Sequence, residues 1–358
     1  MKLHYLLIPL FCLLLSGKGA AEDGDRLLMF WNLENYFDWR DDSLSVSPSD
    51  YEFSSFGPRR WTRKRFFEKT SLIAKSILYI GSDEGRLPDV IGVAEVENRF
   101  VLKQLTEETL LRKLDYRIVH FDSPDPRGID CALLYRASVF DFVEATPIRV
   151  GSGGESGGDW NGGGSFQTRD ILHVHLKDRL SGKDWDLLVC HFPSKYGGAA
   201  ASSPRRLAAA RRLEAAADSL RGERVNTDDR ETRGRGVLVA MGDFNDVPTS
   251  SEIASIRSLF CLGTQLSSRG EGSIRFQGHW QLIDLYFVPE EARPFCTMSI
   301  ARLPFLLEHD RAGGGEKPLR TYSGPRFRGG VSDHCPVLLR VSAALGSARN
   351  FGEAGGEH

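Results

Sequence analysis

Seven short segments carry polar residues at or just beyond the ends of apolar, strand-like runs. In chain order they are FWNLEN (Asn32, Glu34, Asn35), GVAEVEN (Glu95), RGIDCALLY (Asp130), LVCHFPSKYGG (His191), VLVAMGDFNDVP (Asp243, Asn245), WQLIDLYFV (Asp284) and VSDHCPVLL (Asp333, His334). Strand ends are where a fold can converge side chains from distant parts of a chain. Each segment alone has an ordinary explanation. A Gly-Asp or an isolated Asn after a strand is commonly a turn, a histidine at a strand end is more often structural, and Ser332-Asp333-His334 reads as a cap. Asp130 and Asp284 resist that explanation, because a carboxylate in an apolar strand is costly to bury unless it is paired. Two such acids and two strand-end histidines, His191 and His334, suggest two acid–imidazole pairs, which fix a tautomer and raise a histidine's pKa. Acidic and amide oxygens suit a hard divalent ion such as Mg²⁺ rather than zinc. The combination points to metal-assisted hydrolysis of a phosphate ester.

These residues need strands to position them. Apolar runs predict strands at 27–31, 90–93, 116–120, 131–135, 171–176, 185–191, 237–241, 282–288 and 337–341. Several are continuously apolar, as strands buried on both faces are. Helices are expected over 62–79, where Phe66, Phe67, Ile73, Ile77 and Leu78 form a stripe ended by Gly81, and over 204–220, with Pro204 in the first turn. A weaker helix covers about 101–114. The Gly-rich stretch 151–164 and the polar stretch 226–236 read as loops. Many strands with few long helices favour one two-sheet α/β domain.

The 358 residues carry 46 Lys+Arg against 48 Asp+Glu, a formal charge of −2 that excludes a supercharged nucleic-acid coat. A mean hydropathy of −0.28 excludes a multi-span membrane protein. Lys2, an apolar run over 5–15 and small residues over 16–21 have the layout of a secretory signal peptide. The expected organisation is therefore a signal over 1–20, a catalytic domain over 21–345 and a flexible tail over 346–358. An uncleaved anchor is the alternative, and a lipoprotein is disfavoured because Cys12 follows the bulky Phe11. Loss of Lys2 and Lys18 would take the charge from −2 to −4. Five cysteines remain after cleavage, an odd number. Cys131 and Cys190 sit in apolar runs and read as small buried hydrophobes. No CxxC spacing supports a zinc site.

The seven segments, in this order, resemble the endonuclease/exonuclease/phosphatase superfamily, which includes deoxyribonuclease I, over about residues 26–341. The resemblance implies a four-layer α/β sandwich, with two mixed β-sheets face to face, helices outside and the site at one edge. It implies that Glu95 is the principal metal ligand, helped by Asn32, that Asp333 lies near the metal, and that Glu34 stands where some members carry a second acidic ligand. The metal would be Mg²⁺, with Mn²⁺ as a substitute. Asp243 would orient or deprotonate the attacking water, Asn245 bind a phosphate oxygen, and His334 contact the phosphate with Asp284 as its partner. His191 would be a second histidine oriented by Asp130, a pair that points away from abasic-site repair. Arg169 would meet substrate phosphate. The implied reaction is a single in-line attack by water, with either histidine as the acid.

The expected partner is nucleic acid or another phosphodiester, with no stable membrane insertion after cleavage; the oligomeric state stays open. Basic clusters at 59–65 around Trp61, at Arg205-Arg206 with Arg211-Arg212, and at Arg326 and Arg328 could bind phosphates or stack bases, or simply be solvated. The Ser194, Lys195, Gly197 loop is a further candidate for substrate oxygens. The leading reading is a secreted DNA/RNA nuclease. A phosphoesterase acting on a sphingolipid, inositol or sugar phosphate, and a catalytically silent binding module, are the alternatives.

Overall fold

The computed structural model describes residues 24–41, 48–151, 166–225 and 236–346. The predicted signal segment, and all but the first residue of the predicted tail, lie outside the described residues. So does most of each predicted loop. Residues 343–346 form a 3₁₀ turn that reaches the first residue of the predicted tail.

The first sheet contains β1 (Arg26–Tyr36), β2 (Val90–Val96), β3 (Tyr116–His120), β4 (Asp130–Arg136), β13 (Cys296–Ile300) and β18 (Val337–Val341), in the order β13-β18-β1-β2-β4-β3. The second contains β5 (Phe140–Ile148), β6 (Ile171–Asp178), β7 (Asp184–His191), β8 (Val237–Asp243), β9 (Phe260–Cys261) and β12 (Asp284–Val288), in the order β5-β6-β7-β8-β12-β9. Both are mixed: β1 with β2 and β7 with β8 run parallel, and their other neighbours antiparallel. Three hairpins complete the strands: β10 (Ile274–Phe276) with β11 (His279–Gln281), β14 (Leu307–His309) with β15 (Glu316–Pro318), and β16 (Tyr322–Ser323) with β17 (Arg326–Phe327).

The strands read as continuous apolar runs because both faces are covered. Leu28 and Phe30 of β1 face the other sheet, in a core with Leu187, Val189, Val239, Met241 and Leu285. Leu27, Met29 and Trp31 face the opposite way, into a core shared with α2 (Arg63–Asp83) and α3 (Arg99–Glu107). α4 (Ala199–Val225) covers the second sheet through Ala209, Ala210, Leu213 and Ala217. The result is the expected four-layer sandwich. Short helices α1 (Pro48–Glu52), α5 (Ser251–Ala254) and α6 (Thr264–Ser268) lie in connections.

Several sequence expectations shift. α2 starts where expected, its Thr62 hydroxyl accepting from the Arg65 N–H. It runs through Gly81, which serves packing rather than termination: a Cβ there would meet Leu87 Cδ2 at 2.6 Å. α4 begins at Ala199, so Pro204 lies in its second turn and forgoes one hydrogen bond. The expected helix over 101–114 is α3 followed by a 3₁₀ turn at Leu110–Lys113. β5 and β13 were not foreseen; both are edge strands with half-exposed patterns. Trp61 is fully buried, and Arg65 lies over Phe327, so the basic segment 59–65 is largely part of the packing around α2. Arg206 is likewise buried, holding Asp246 and Glu252.

Candidate active site

Sheet register assembles the centre of the site. In the second sheet His191, the last residue of β7, stands opposite Asp243, the last of β8, and Asp243 stands opposite Asp284, the first of β12. One rung across three strands therefore carries an imidazole and two carboxylates, all buried. Gly242 permits the close approach of β7 and β8: a Cβ there would lie 2.2 Å from the Cys190 carbonyl oxygen.

His334 docks on this rung from the far end of the chain. Its Nδ1 lies 2.7 Å from Asp284 Oδ2, and its Nε2 points toward Asp243 Oδ2 at 3.8 Å and Asp333 Oδ1 at 3.8 Å. The Ser332 hydroxyl donates to the Asn32 carbonyl and accepts from the His334 N–H, and Trp31 Nε1 donates to the His334 carbonyl. Burial alone would lower this imidazole, but Asp284 and Asp243 outweigh it and hold the ring well above the usual histidine range. His334 is thus an imidazolium at neutral pH.

Asp243 links the two sheets. Asn32 Nδ2 of β1 donates to its Oδ2 at 3.0 Å, and the Asn245 N–H donates to its Oδ1 at 2.8 Å. Burial pushes Asp243 up to about 7, against the pull of His334. Asn245 also donates through Nδ2 to the Phe192 carbonyl at 2.9 Å.

The expected His191–Asp130 pair does not form. His191 Nε2 faces Glu95 Oε1 at 3.8 Å and Asp243 Oδ2 at 3.7 Å, and its buried Nδ1 has no hydrogen-bond partner. Burial, then Arg169 and Arg127, hold it well below the usual range, so this ring is neutral. Asp130 instead lies 3.0 Å from His120 Nε2 and accepts from the Ser123 N–H and hydroxyl. The cause is register. His120 stands opposite Ala132, which places Asp130 on the diagonal of the same face.

The expected metal ligands lie along β1, β2 and the loop before β18. Glu95 Oε2 accepts from the Asn35 N–H at 2.8 Å and lies 3.5 Å from Arg127. Glu34 accepts from Arg320 at 2.8 Å and from the Thr321 N–H at 3.1 Å, and Arg320 also reaches Asp333 at 3.1 Å. Lys69, fully buried on α2, donates to the Glu34 carbonyl and Thr321 Oγ1. Burial, and next the Asp333 carboxylate, push Glu34 up to about 7; burial pulls Lys69 down to about 8. Asn32, Glu34, Glu95 and Asp333 offer only carboxylate and amide oxygens. That donor set fits a hard divalent cation such as Mg²⁺ and does not fit a thiolate-seeking ion. Among the described residues the trios whose donor atoms lie within 4.8 Å of one another are Asp243, Asp284 and His334, and His120, Asp122 and Asp130; Glu34, Glu95 and Asp333 are spread more widely than this. In each trio an imidazole nitrogen is already engaged by a carboxylate.

Backbone strain concentrates here. Glu34, Asn35, Glu95 and Asn245 all have positive φ, between 47° and 59°, without being glycine.

Arg169 is not presented to substrate as expected. It is buried, with Nη1 donating to Asp125 Oδ2 at 2.9 Å and Nη2 to the Phe192 carbonyl at 2.7 Å. Two of its nitrogens are thus engaged within the protein, and its buried Nε has no hydrogen-bond partner. The arginine beside Glu95 is Arg127, which donates to Asn35 Oδ1 at 2.8 Å and has a side chain 41% exposed. Sequence reasoning missed Arg127, Arg320, Lys69 and His120. Lys69 had a signal: it lies between Phe66 and Ile73 on the apolar stripe of α2, where a charge needs partners.

A family described as the endonuclease/exonuclease/phosphatase family matches residues 27–343. No curated protein matches the chain. Among solved structures, the catalytic domain of human Nocturnin with bound sulfate is similar at 18% identity and a TM-score of 0.53, covering 90% of this chain and 96% of that one. A humanized D. rerio TDP2 is similar at 14% identity and 0.51, covering 89% and 99%. The mannosyl-6-phosphatase of Bacteroides thetaiotaomicron is similar at 16% identity and 0.50, covering 88% and 98%. At these identities the likenesses speak to the fold.

Proposed function

The chain belongs to the endonuclease/exonuclease/phosphatase family, and from that premise we propose that it is an exported, Mg²⁺-dependent phosphodiesterase that cleaves nucleic acid. The observation that carries the reading is the His191–Asp243–Asp284 rung with a protonated His334 held against it. That arrangement pairs a base titrating near neutrality with a charged imidazole, which is what in-line attack of water on a phosphate ester requires.

Asp243 takes the proton of the attacking water. Asn32 and Asn245 fix its carboxylate by donating to one oxygen each. The His334 imidazolium stabilises charge developing on the phosphoryl group and carries the proton available to the departing oxygen, with Asp284 keeping it charged. His191 is neutral and orients substrate through Nε2, which faces Glu95 and Asp243. Asn32, Glu34, Glu95 and Asp333 would hold a divalent ion, which when bound neutralises phosphoryl oxygens. Mn²⁺ would serve in place of Mg²⁺. The small-residue end of the N-terminal apolar run supports export with cleavage near Ala21.

The test uses protein beginning at Ala21 with supercoiled plasmid. Nicking is expected with Mg²⁺ or Mn²⁺ and is expected to stop in EDTA and in Asp243→Asn. Turnover of phosphomonoesters alone, with plasmid intact, would replace the nuclease reading with a phosphatase one.

A further inference from the structure

A cleft of about 410 Å³ opens beside the site, between the β3–β4 loop and the segment that follows β7. Its walls include Arg127, Thr168, Ser194, Tyr196 and Arg205. It adjoins the reacting centre at two of these. Arg127 lies 3.5 Å from Glu95, and Ser194 is three residues beyond His191.

The charge in this cleft is unbalanced. Asp125, its one carboxylate among the described residues, is buried and spent on Arg169 at 2.9 Å. Arg205, exposed on α4, has no ion-pair partner among the described residues, and Arg127 keeps its exposed face toward the cleft. Thr168 Oγ1 is buried in the wall with no hydrogen-bond partner, a cost that a ligand oxygen would relieve. Tyr196 stands 94% exposed at the rim, on a loop whose next two residues, Gly197 and Gly198, have positive φ. An aromatic ring left in water beside an unpaired Arg205 and a partly exposed Arg127 is the pairing that takes a phosphate and stacks a base. The volume lies within the range of small-molecule sites, which run from about 300 to 1,000 Å³.

We propose that this cleft is a nucleotide subsite. Arg127 and Arg205 bind the phosphate that flanks the scissile one, and Tyr196 stacks the attached base. The substrate class is then an oligonucleotide rather than a lone phosphorylated sugar, which has neither the second phosphate nor the base. This rests on the phosphodiesterase reading for its biological sense but not for its test.

The test is equilibrium binding of thymidine 3′,5′-bisphosphate to the protein beginning at Ala21, in EDTA, by calorimetry. This reads the cleft whether or not plasmid is cleaved. Arg205→Ala and Tyr196→Ala are each expected to weaken binding about tenfold, a fold-change typical of a lost charged or stacking contact. Arg211→Ala, an exposed arginine further along α4, should leave it unchanged. Ribose 5-phosphate should bind at least about tenfold more weakly, for want of a base to stack. Absence of binding, equal binding by Arg205→Ala, or equal affinity for ribose 5-phosphate would overturn the subsite. An intact plasmid with Mg²⁺ would overturn the nuclease reading instead.

Discussion

Asp284 Oδ2 lies 2.7 Å from His334 Nδ1, both groups buried, in a pairing that joins the first residue of β12 to the loop entering β18. Among the site residues this is the acid–imidazole pair with hydrogen-bond geometry, and it sets the charge of the ring. Asp284→Asn keeps the shape but removes the charge that holds the proton. Activity on bis(4-nitrophenyl) phosphate should fall by about 10² to 10⁴, the usual weight of a positioned acid or base. Thermal melting should change little. Unchanged kcat in a folded variant would remove His334 from the mechanism.

Asp243 gives the pH dependence its lower limb. Its buried carboxylate is pushed up to about 7 and acts as a base only when deprotonated. Below that value kcat/KM should therefore fall about tenfold per pH unit. His334 must stay protonated and is held well above the usual histidine range, so the alkaline limb should lie well above 6.5. A profile flat from about pH 5 to 8 would show that Asp243 is not the base that titrates in the reaction.

The centre of the site was legible because strand-end polarity survives in sequence. Glu95, His191, Asp243 and Asp284 each interrupt an apolar run, and the fold puts three of them on one rung and Glu95 beside it. What sequence could not supply was the partner of each acid. Asp130 and His191 looked complementary, yet hairpin register gives Asp130 to His120, ten residues earlier. Arg169 and Trp61 show the same limit. An arginine or a tryptophan near a site reads as a ligand for phosphate or base until burial shows what it packs against. β1 is also longer than its apolar core, because Asn32 to Tyr36 continue the strand through a register shift with positive φ at Glu34 and Asn35.

The Asp130–His120 pairing separates two classes of variant. Asp130→Asn and His120→Ala should each cost less than about tenfold in kcat and should be non-additive in combination, since they break one contact. His191→Ala, whose ring faces Glu95 and Asp243, should cost far more, and its effect should add to that of Asp130→Asn. Strong coupling between Asp130 and His191 in a double-mutant cycle would restore the pairing suggested by sequence alone.

Removal of the divalent ion should reveal Arg320 as a stabilising group. Arg320 bridges Glu34 and Asp333, and Lys69 stands behind them. In EDTA, Arg320→Ala leaves these carboxylates less neutralised, and a partly exposed pair of this kind is worth about 1 kcal/mol or less. The melting temperature should drop in EDTA, and added Mg²⁺ should recover part of the loss. Equal loss with and without Mg²⁺ would mean that the ion binds elsewhere.

Glu97, next to the site strand, predicts an alkaline loss of stability. Burial, with Asp38 and Asp50 nearby, pushes its carboxyl from 4.5 up to about 9, while its Oε2 accepts the Asp38 N–H at 2.7 Å. A carboxyl raised in the folded state takes up a proton on folding wherever the unfolded chain would be ionised. Its contribution is therefore fully present below about pH 4.5 and is lost as pH rises toward 9. The slope is at most about 1.4 kcal/mol per pH unit for one proton. Glu97→Gln keeps an acceptor for Asp38 and cannot ionise, so it should match the parent near pH 4.5 and melt higher at pH 8 to 9. Parallel melting curves for the two proteins across that window would show that Glu97 is ionised in the folded chain.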